Sequence, residues 1–272
     1  MDMIRVDEKT CTRCGICAAT CPLGLIEFES DKFPSPVSFI ETSCIRCGQC
    51  VAVCPTGSLS HRVIPVEKCL PVRNELQITP EQCEYLLKTR RSIRVYQHDP
   101  VPRDLVTRLI NVARYAPTGH NGQCVEWLVL GDRDELNKIK AAVTEWTRWF
   151  ITKHPEIAGP LEMTKLLARQ ESGIDELMHN APVMIIAHAD AKDATAPAAC
   201  TIALTYLQLA AMSMGMGTCW AGFVQISSGF PAVKELLALP QNHHNYGTML
   251  LGYPKYQYHR IPTRKPAKII WR

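Results

Sequence analysis

Eight of the thirteen cysteines in this 272-residue sequence fall between Cys11 and Cys54, in two runs of identical spacing. The first is Cys11, Cys14, Cys17 and Cys21 followed by Pro22, and the second is Cys44, Cys47, Cys50 and Cys54 followed by Pro55. Thiolate sulfur is a soft ligand that suits iron–sulfur clusters and zinc. A zinc site built from cysteines draws on two separated pairs. Two complete four-cysteine runs, each closed by proline, have instead the spacing that holds [4Fe–4S] clusters. Gly15 and Gly48 lie inside the runs, where the lack of a side chain lets backbone N–H groups approach cluster sulfur. The other five, Cys69, Cys83, Cys124, Cys200 and Cys219, are scattered and odd in number. They form no disulfide framework, and a reducing, cytoplasmic compartment is expected.

A second chemistry is written in cations. Arg90, Arg91 and Arg94 cluster with Ser92, and residues 254–272 carry six basic side chains and no acidic one. The guanidinium fork matches phosphate oxygens two at a time, so two segments distant in sequence could converge on one phosphate. The whole chain carries a net charge of only +4, short of the basic stripe that nucleic-acid binders need. No nucleic-acid partner is expected.

These residues need a scaffold, and the chain divides near residue 80. Residues 1–62 hold short apolar pieces punctuated by Pro22, Pro34, Pro36 and Pro55, a domain too poor in apolar periodicity to fold without metal. Residues 63–79 read as an extended connector, with Pro65 and Pro71 disfavouring helix around them and Val63, Ile64, Val66, Leu70 and Val72 offering apolar surface to bury. Thr79-Pro80-Glu81-Gln82 then combines an N-cap, a proline in the first turn and a capping-box glutamine, opening a domain over 80–272. There Leu105, Leu109, Ile110 and Ala113 share a helical face, 125–130 reads as a strand, and amphipathic helices follow at 134–150 and 160–179. Strands are expected at 182–187 and 248–251. The composition, 46% hydrophobic and 21% charged, is that of a globular α+β protein. From Ala194 to Val233 no residue is charged, but prolines, glycines and polar residues interrupt the stretch. A buried core helix over 195–216 is expected rather than a membrane span, and the opening MDMIRVDEKT lacks the apolar region of a secretion signal.

The doubled cysteine run resembles the bacterial two-cluster ferredoxins, in which three cysteines of a run ligate one cluster and the fourth ligates the other. That resemblance implies one cluster on Cys11, Cys14, Cys17 and Cys54, and a second on Cys44, Cys47, Cys50 and Cys21. Beyond residue 80, four motifs occur in the order seen in the nitroreductase family of FMN enzymes. They are Arg90-Arg91-Ser92-Ile93-Arg94, Ala116 to Gln123, Gly215 to Gly222, and Gly252-Tyr253-Pro254 through Arg264-Lys265-Pro266. The resemblance implies a three-layer α/β/α domain that dimerises, so that both subunits line each flavin. By it Arg90, Arg91, Ser92 and Arg94 meet the phosphate, ribityl chain and ring. Arg264 or Lys265 supplies a C-terminal phosphate contact. Pro117, Thr118, Gly119, Asn121 and Gln123 form the loop that reaches the flavin, and Cys219, Trp220, Ala221 and Gly222 face the ring. Departures from the family pattern occur at His120 and Cys124.

No constellation of acid, base and nucleophile stands out, so the chemistry is expected on FMN, with His120 as a candidate proton donor. The ferredoxin-linked branch of the family then implies electrons from ferredoxin or another one-electron carrier, or from NAD(P)H. They pass through two [4Fe–4S] clusters to FMN and on to a small organic acceptor such as a nitroaromatic or quinone-like compound. The alternatives are an electron-transfer module that relays to a protein, and a flavin dehydrogenase discharging into ferredoxin. Cys219 and the Met212-Met214-Met216 run are read as core filler, and His243-His244 as a loop.

Overall fold

Short apolar pieces between cysteines can make only short elements, and a computed structural model describing residues 2–272 bears this out. Contacts group the chain into two units, residues 1–77 with 120–122, and residues 78–119 with 123–272.

In the N-terminal unit, β1 (Ile4–Val6) is followed by α1 (Ile16–Thr20), β2 (Ile26–Glu27), β3 (Ser35–Pro36), α2 (Ile40–Ser43), α3 (Gln49–Ala52) and β4 (Leu59–His61). Antiparallel pairing of β1 with β4 sets Ile4 opposite His61 and Val6 opposite Leu59, closing the unit on itself, and β2 pairs with β3. The apolar core is small, with Met3, Ile4, Leu25, Ile26, Ile40, Val51 and Leu59 buried. Gly15 and Gly48 precede α1 and α3 in the left-handed region at φ 71° and 73°, which glycine reaches without strain. A Cβ on Gly15 would lie 2.6 Å from the Phe28 ring.

The larger unit opens with α4 (Pro80–Thr89), whose Thr79 N-cap and Gln82 form the expected capping box. There follow α5 (Arg103–Ala113), β5 (Glu126–Leu130), α6 (Arg133–Lys153), α7 (Pro155–Ala158), α8 (Met163–Glu171) and β6 (Val183–Asp190). Then come α9 (Ala196–Ser213), β7 (Gly217–Trp220), α10 (Gly222–Ile226), α11 (Pro231–Leu237) and β8 (His243–Gly252). The strands form one antiparallel sheet in the order β5-β6-β8-β7. Because successive side chains of a strand point to opposite faces, β6 feeds two cores. Met184 and Ile186 join residues of α6, α10 and α11, while Val183, Ile185, Ala187 and Ala189 join α5 and α9. That is a three-layer α/β/α sandwich with the sheet in the middle. Each fully buried Ile or Met contributes roughly 1.5–3 kcal/mol.

The uncharged helix α9 is long and apolar enough to cross a membrane by length and composition. Its Ala199, Cys200, Ala203, Leu204, Leu207 and Ala211 are buried against the sheet, so it is the core helix of this unit.

Three expectations shift. The second amphipathic helix ends at Glu171, short of 179, because Gly173 takes φ 92° and the buried Asp175 carboxylate captures the N–H groups of Met178 and Asn180. Strand β6 runs on to Asp190. His243 and His244 lie in the first turn-side residues of β8, paired with Asp190 and Ala189, and not in a loop, because pairing with the extended β6 holds polar residues in a strand that their own apolar pattern does not announce.

Candidate functional site

In the N-terminal unit, Cys11, Cys14, Cys17 and Cys54 line one cavity, roofed by Val6, Ile16 and Leu59. Cys21, Cys44, Cys47 and Cys50 line another, with Ile4, Ile26 and Ile40. Each cavity thus draws three cysteines from one run and the fourth from the other, and four thiols in an apolar pocket fit the donor set of a [4Fe–4S] cluster. Backbone N–H groups already face sulfur: Arg13 donates to Cys11 Sγ (3.5 Å), Arg46 to Cys44 Sγ (3.4 Å) and Leu25 to Cys21 Sγ (3.3 Å). Arg13 and Arg46 adopt positive φ to do so. Burial pushes the Cys50 thiol up to about 11, with Cys47, Cys21 and Cys44 beside it adding to the rise. Burial raises Cys17 likewise, next to Cys54 and Cys14. Ligation therefore has to displace protons from these sulfurs.

His61 was not anticipated as a site residue. It is buried at the end of β4, accepts the Val63 N–H on Nδ1 (3.2 Å) and presents Nε2 to Cys44 Sγ at 3.7 Å. With Nδ1 occupied as an acceptor, the ring proton resides on Nε2 and points at sulfur. Burial, then the Arg62 and Arg46 charges, lower its pKa, which favours that neutral form. A donor to cluster sulfur favours the reduced, more negative state. His61→Phe is accordingly expected to keep the iron but move the potential of the cluster at Cys44 to more negative values in an EPR-monitored redox titration. An unmoved potential would leave the contact a matter of packing alone.

In the larger unit, residues 90–97 run extended beside the sheet. Ile93 N–H donates to the Thr218 carbonyl (2.9 Å), Gln97 N–H to Tyr253 (2.8 Å), and Lys255 N–H to Val95 (3.0 Å), while Ser92 bridges Thr218. This places Arg90 and Arg94 beside the buried Cys219 thiol, whose pKa burial raises against the pull of both guanidiniums. Tyr96 is 6% exposed, and its hydroxyl is a buried polar atom with no partner. It neighbours Cys219 and Arg94, and burial drives its pKa well up. His179 also lies near Arg94, its pKa lowered first by burial and then by that charge. Ala221 N–H donates to the Thr248 carbonyl (2.9 Å), and a Cβ on Gly222 would meet only open space. Trp220, just before them, is 37% exposed. Two guanidiniums, an orphaned hydroxyl that needs a partner and an open flank at Gly222 fit an anionic, polar ligand such as FMN.

Arg91 points elsewhere, into a cleft of about 680 Å³ shared with Met212, Gly217, Lys255 and Tyr258. Arg264 and Lys265 are exposed on a segment without helix or strand, and Arg264 donates to the Thr263 carbonyl at 3.4 Å. In the loop between α5 and β5, the Thr118 hydroxyl accepts the Gln123 N–H (3.0 Å). A side chain on Gly119 would collide with Thr195 at 2.3 Å. Pro117 and His120 are exposed, and His120, Asn121 and Gln123 all take positive φ. Asn121, grouped with the N-terminal unit, donates its amide to the carbonyls of Ile45 (3.3 Å) and Arg46 (2.9 Å), between Cys44 and Cys47. Tyr96, His179 and His61 carry no spacing rule, so only packing reveals them.

A sulfur-lined unit joined to an α/β/α unit with a cationic, incompletely satisfied site defines an oxidoreductase of two modules. Residues 87–253 match the Nitroreductase family, and residues 10–58 match a 4Fe-4S dicluster domain. The chain belongs to the nitroreductase family, with an N-terminal 4Fe-4S dicluster domain. It is 27% identical over 180 residues to a protein of Archaeoglobus fulgidus provisionally named an NADH dehydrogenase/NAD(P)H nitroreductase, covering 64% of this chain and 87% of that one. It is 27% identical over 200 residues to an NADH dehydrogenase of Thermus thermophilus, covering 67% and 92%. Among solved structures, a Bacteroides fragilis nitroreductase with bound FMN superimposes with TM-score 0.58 at 25% identity, over 71% of this chain and 98% of that one.

Proposed function

We propose that this protein is an FMN- and iron–sulfur-dependent oxidoreductase. In this reading it carries electrons from one-electron donors through two [4Fe–4S] clusters to FMN, and on to a small organic acceptor such as a nitroaromatic or quinone-like compound. The observation that carries the reading is the sorting of eight cysteines into two cavities, in a chain whose other unit gathers Arg90, Arg94, Tyr96 and Cys219. FMN, when bound, converts single electrons into a hydride equivalent. Arg90 and Arg94 supply charge for its phosphate and ring, Gly222 leaves room beside the ring, and Asn121 holds the Ile45-Arg46 loop of the cluster at Cys44. The nicotinamide-linked names of the relatives support NAD(P)H as a further donor. A homodimer is supported by apolar side chains left uncovered in the single chain, among them Leu70, Val72, Ile270 and Trp271, each at least 85% exposed. The five cysteines outside the cluster runs, Cys69, Cys83, Cys124, Cys200 and Cys219, form no disulfide, which supports a cytoplasmic location.

The test is anaerobic turnover of a panel of nitroaromatics and quinones by the full-length holoprotein, driven by reduced ferredoxin, NADH or NADPH, beside a Cys47→Ala variant. Ferredoxin-driven turnover is expected to fall at least about tenfold in the variant while any NAD(P)H-driven turnover persists, because one-electron entry alone depends on the clusters. Equal ferredoxin-driven rates would make the clusters structural. Reduction of the flavin without turnover of any acceptor would favour a relay to a protein, and oxidation of a substrate with ferredoxin as acceptor would reverse the direction.

A further inference from the structure

Far from the cysteines in sequence, three adjacent strands bring two imidazoles and a carboxylate together. Glu126 on β5 stands directly opposite His188 on β6. His188 and His243 bring their Nδ1 atoms to 2.9 Å, and one ligand atom from each of the three residues lies within 4.8 Å of the others. His188 is 5% exposed, His243 is half-buried and Glu126 is exposed.

The grouping depends on a defect in the ladder. Ile186 pairs with Thr248 and Ala187 with Gly247, but His188 pairs with Asn245 and Asp190 with His243, skipping Tyr246. In an unbroken ladder Asp190 would face His244, and His243 would point through the opposite face of the sheet. A bulge re-aims one stretch of strand by a residue, and here it turns His243 to the face that carries His188. Asn245 secures it, accepting the Gly247 N–H (3.0 Å) and donating to Ser228 Oγ (2.8 Å) and Thr248 Oγ1 (2.9 Å).

We propose that Glu126, His188 and His243 form a binding site for one divalent transition-metal ion of the zinc type. Imidazole nitrogen with one carboxylate is a donor set such ions favour over magnesium or calcium. Zinc–nitrogen bonds of ~2.0–2.1 Å at a tetrahedral angle put two ligand nitrogens roughly 3.3 Å apart, so the two rings need to part by only a few tenths of an ångström. The Glu126 side chain, free on the edge strand, swings in to complete three ligands, and a fourth position is left to water. Burial lowers the pKa of His188, with the neighbouring His243 adding to the effect and Glu126 opposing it; neutral imidazole is the form that binds metal. The ion ties β5, β6 and β8 together at one end of the sheet.

Anaerobic calorimetry on chelator-washed holoprotein tests this with zinc as the probe and magnesium as control. The intact protein is expected to take one zinc per chain at this site and to melt at a higher temperature with zinc, but to show no such response to magnesium. Glu126→Gln and His243→Asn, at exposed and half-buried positions, are each expected to weaken zinc binding at least about tenfold and to abolish the thermal shift. Zinc bound with unchanged affinity in both variants would assign it to free thiols such as Cys69 and overturn the proposal. So would the absence of a saturable zinc site in the intact protein, which would leave His188 and His243 as a hydrogen-bonded pair. Should His243→Asn fail to fold, the Glu126→Gln result decides alone.

Discussion

Cys21→Ala is expected to strip the cluster of Cys44, Cys47 and Cys50 and to spare that of its sequence neighbours Cys11, Cys14 and Cys17. Purified without oxygen, the intact chain should hold about eight irons and eight acid-labile sulfides, two cubanes' worth, and the variant about half. The reason is spatial: Cys21 lines the cavity of the second run, while Cys54 lines that of the first. Cys54→Ala should produce the mirror result. Iron and sulfide analysis gives the count, and EPR of the reduced protein tells which spectrum is gone. Loss of the Cys11-side cluster alone in Cys21→Ala would contradict the exchanged ligation, and zinc in place of iron would overturn the iron–sulfur reading of these cysteines.

Arg94→Ala is expected to cost about 1.5–3 kcal/mol of FMN binding, the worth of a hydrogen bond to a charged group, or roughly one to two decades in Kd. Iron content should not change. Titration of flavin-free protein, followed by quenching of FMN fluorescence, measures it. Arg94 lies beside Cys219 and the unpaired Tyr96 hydroxyl, so its charge is already near the proposed ring site. Arg264→Ala provides the comparison, since Arg264, exposed like Arg94, donates to the adjacent Thr263 carbonyl on a segment without helix or strand. A loss of similar size there would mean that the C-terminal segment reaches a phosphate in the assembled protein. Unaltered FMN binding in Arg94→Ala would mean that this guanidinium serves solvent or structure instead.

Much of the architecture follows from local chemistry. The Thr79-Pro80-Glu81-Gln82 box caps α4 because its hydrogen bonds close within four residues, and α5 and α9 carry their buried stripes at helical spacing. The 160–179 segment fails differently: its apolar residues continue at helical period past Glu171, but Gly173 breaks the backbone and Asp175 offers N–H groups a better partner. Hydrophobic period does not register that competition. Likewise His243-His244 looks like a loop because nothing in its composition is strand-like, and pairing with β6 supplies what local preference lacks.

The iron–sulfur character of the N-terminal half was legible in the sequence itself, since spacing within a run gathers three sulfurs around one site, and folding then brought the fourth from the other run. Tertiary structure alone decided what approaches those sulfurs: the His61 ring reaches Cys44 only because β4 pairs with β1 and the Val63 N–H fixes its tautomer. In the larger unit, the arginine motif determined that a cationic segment exists, and packing beside β7 sorted Arg90 and Arg94 toward Cys219 while sending Arg91 into another cleft. In the sheet, side chains alternate between faces residue by residue, so a single bulge near Tyr246 decides whether His243 meets His188 or turns away from it, and no pattern in the linear chain records a one-residue shift in register.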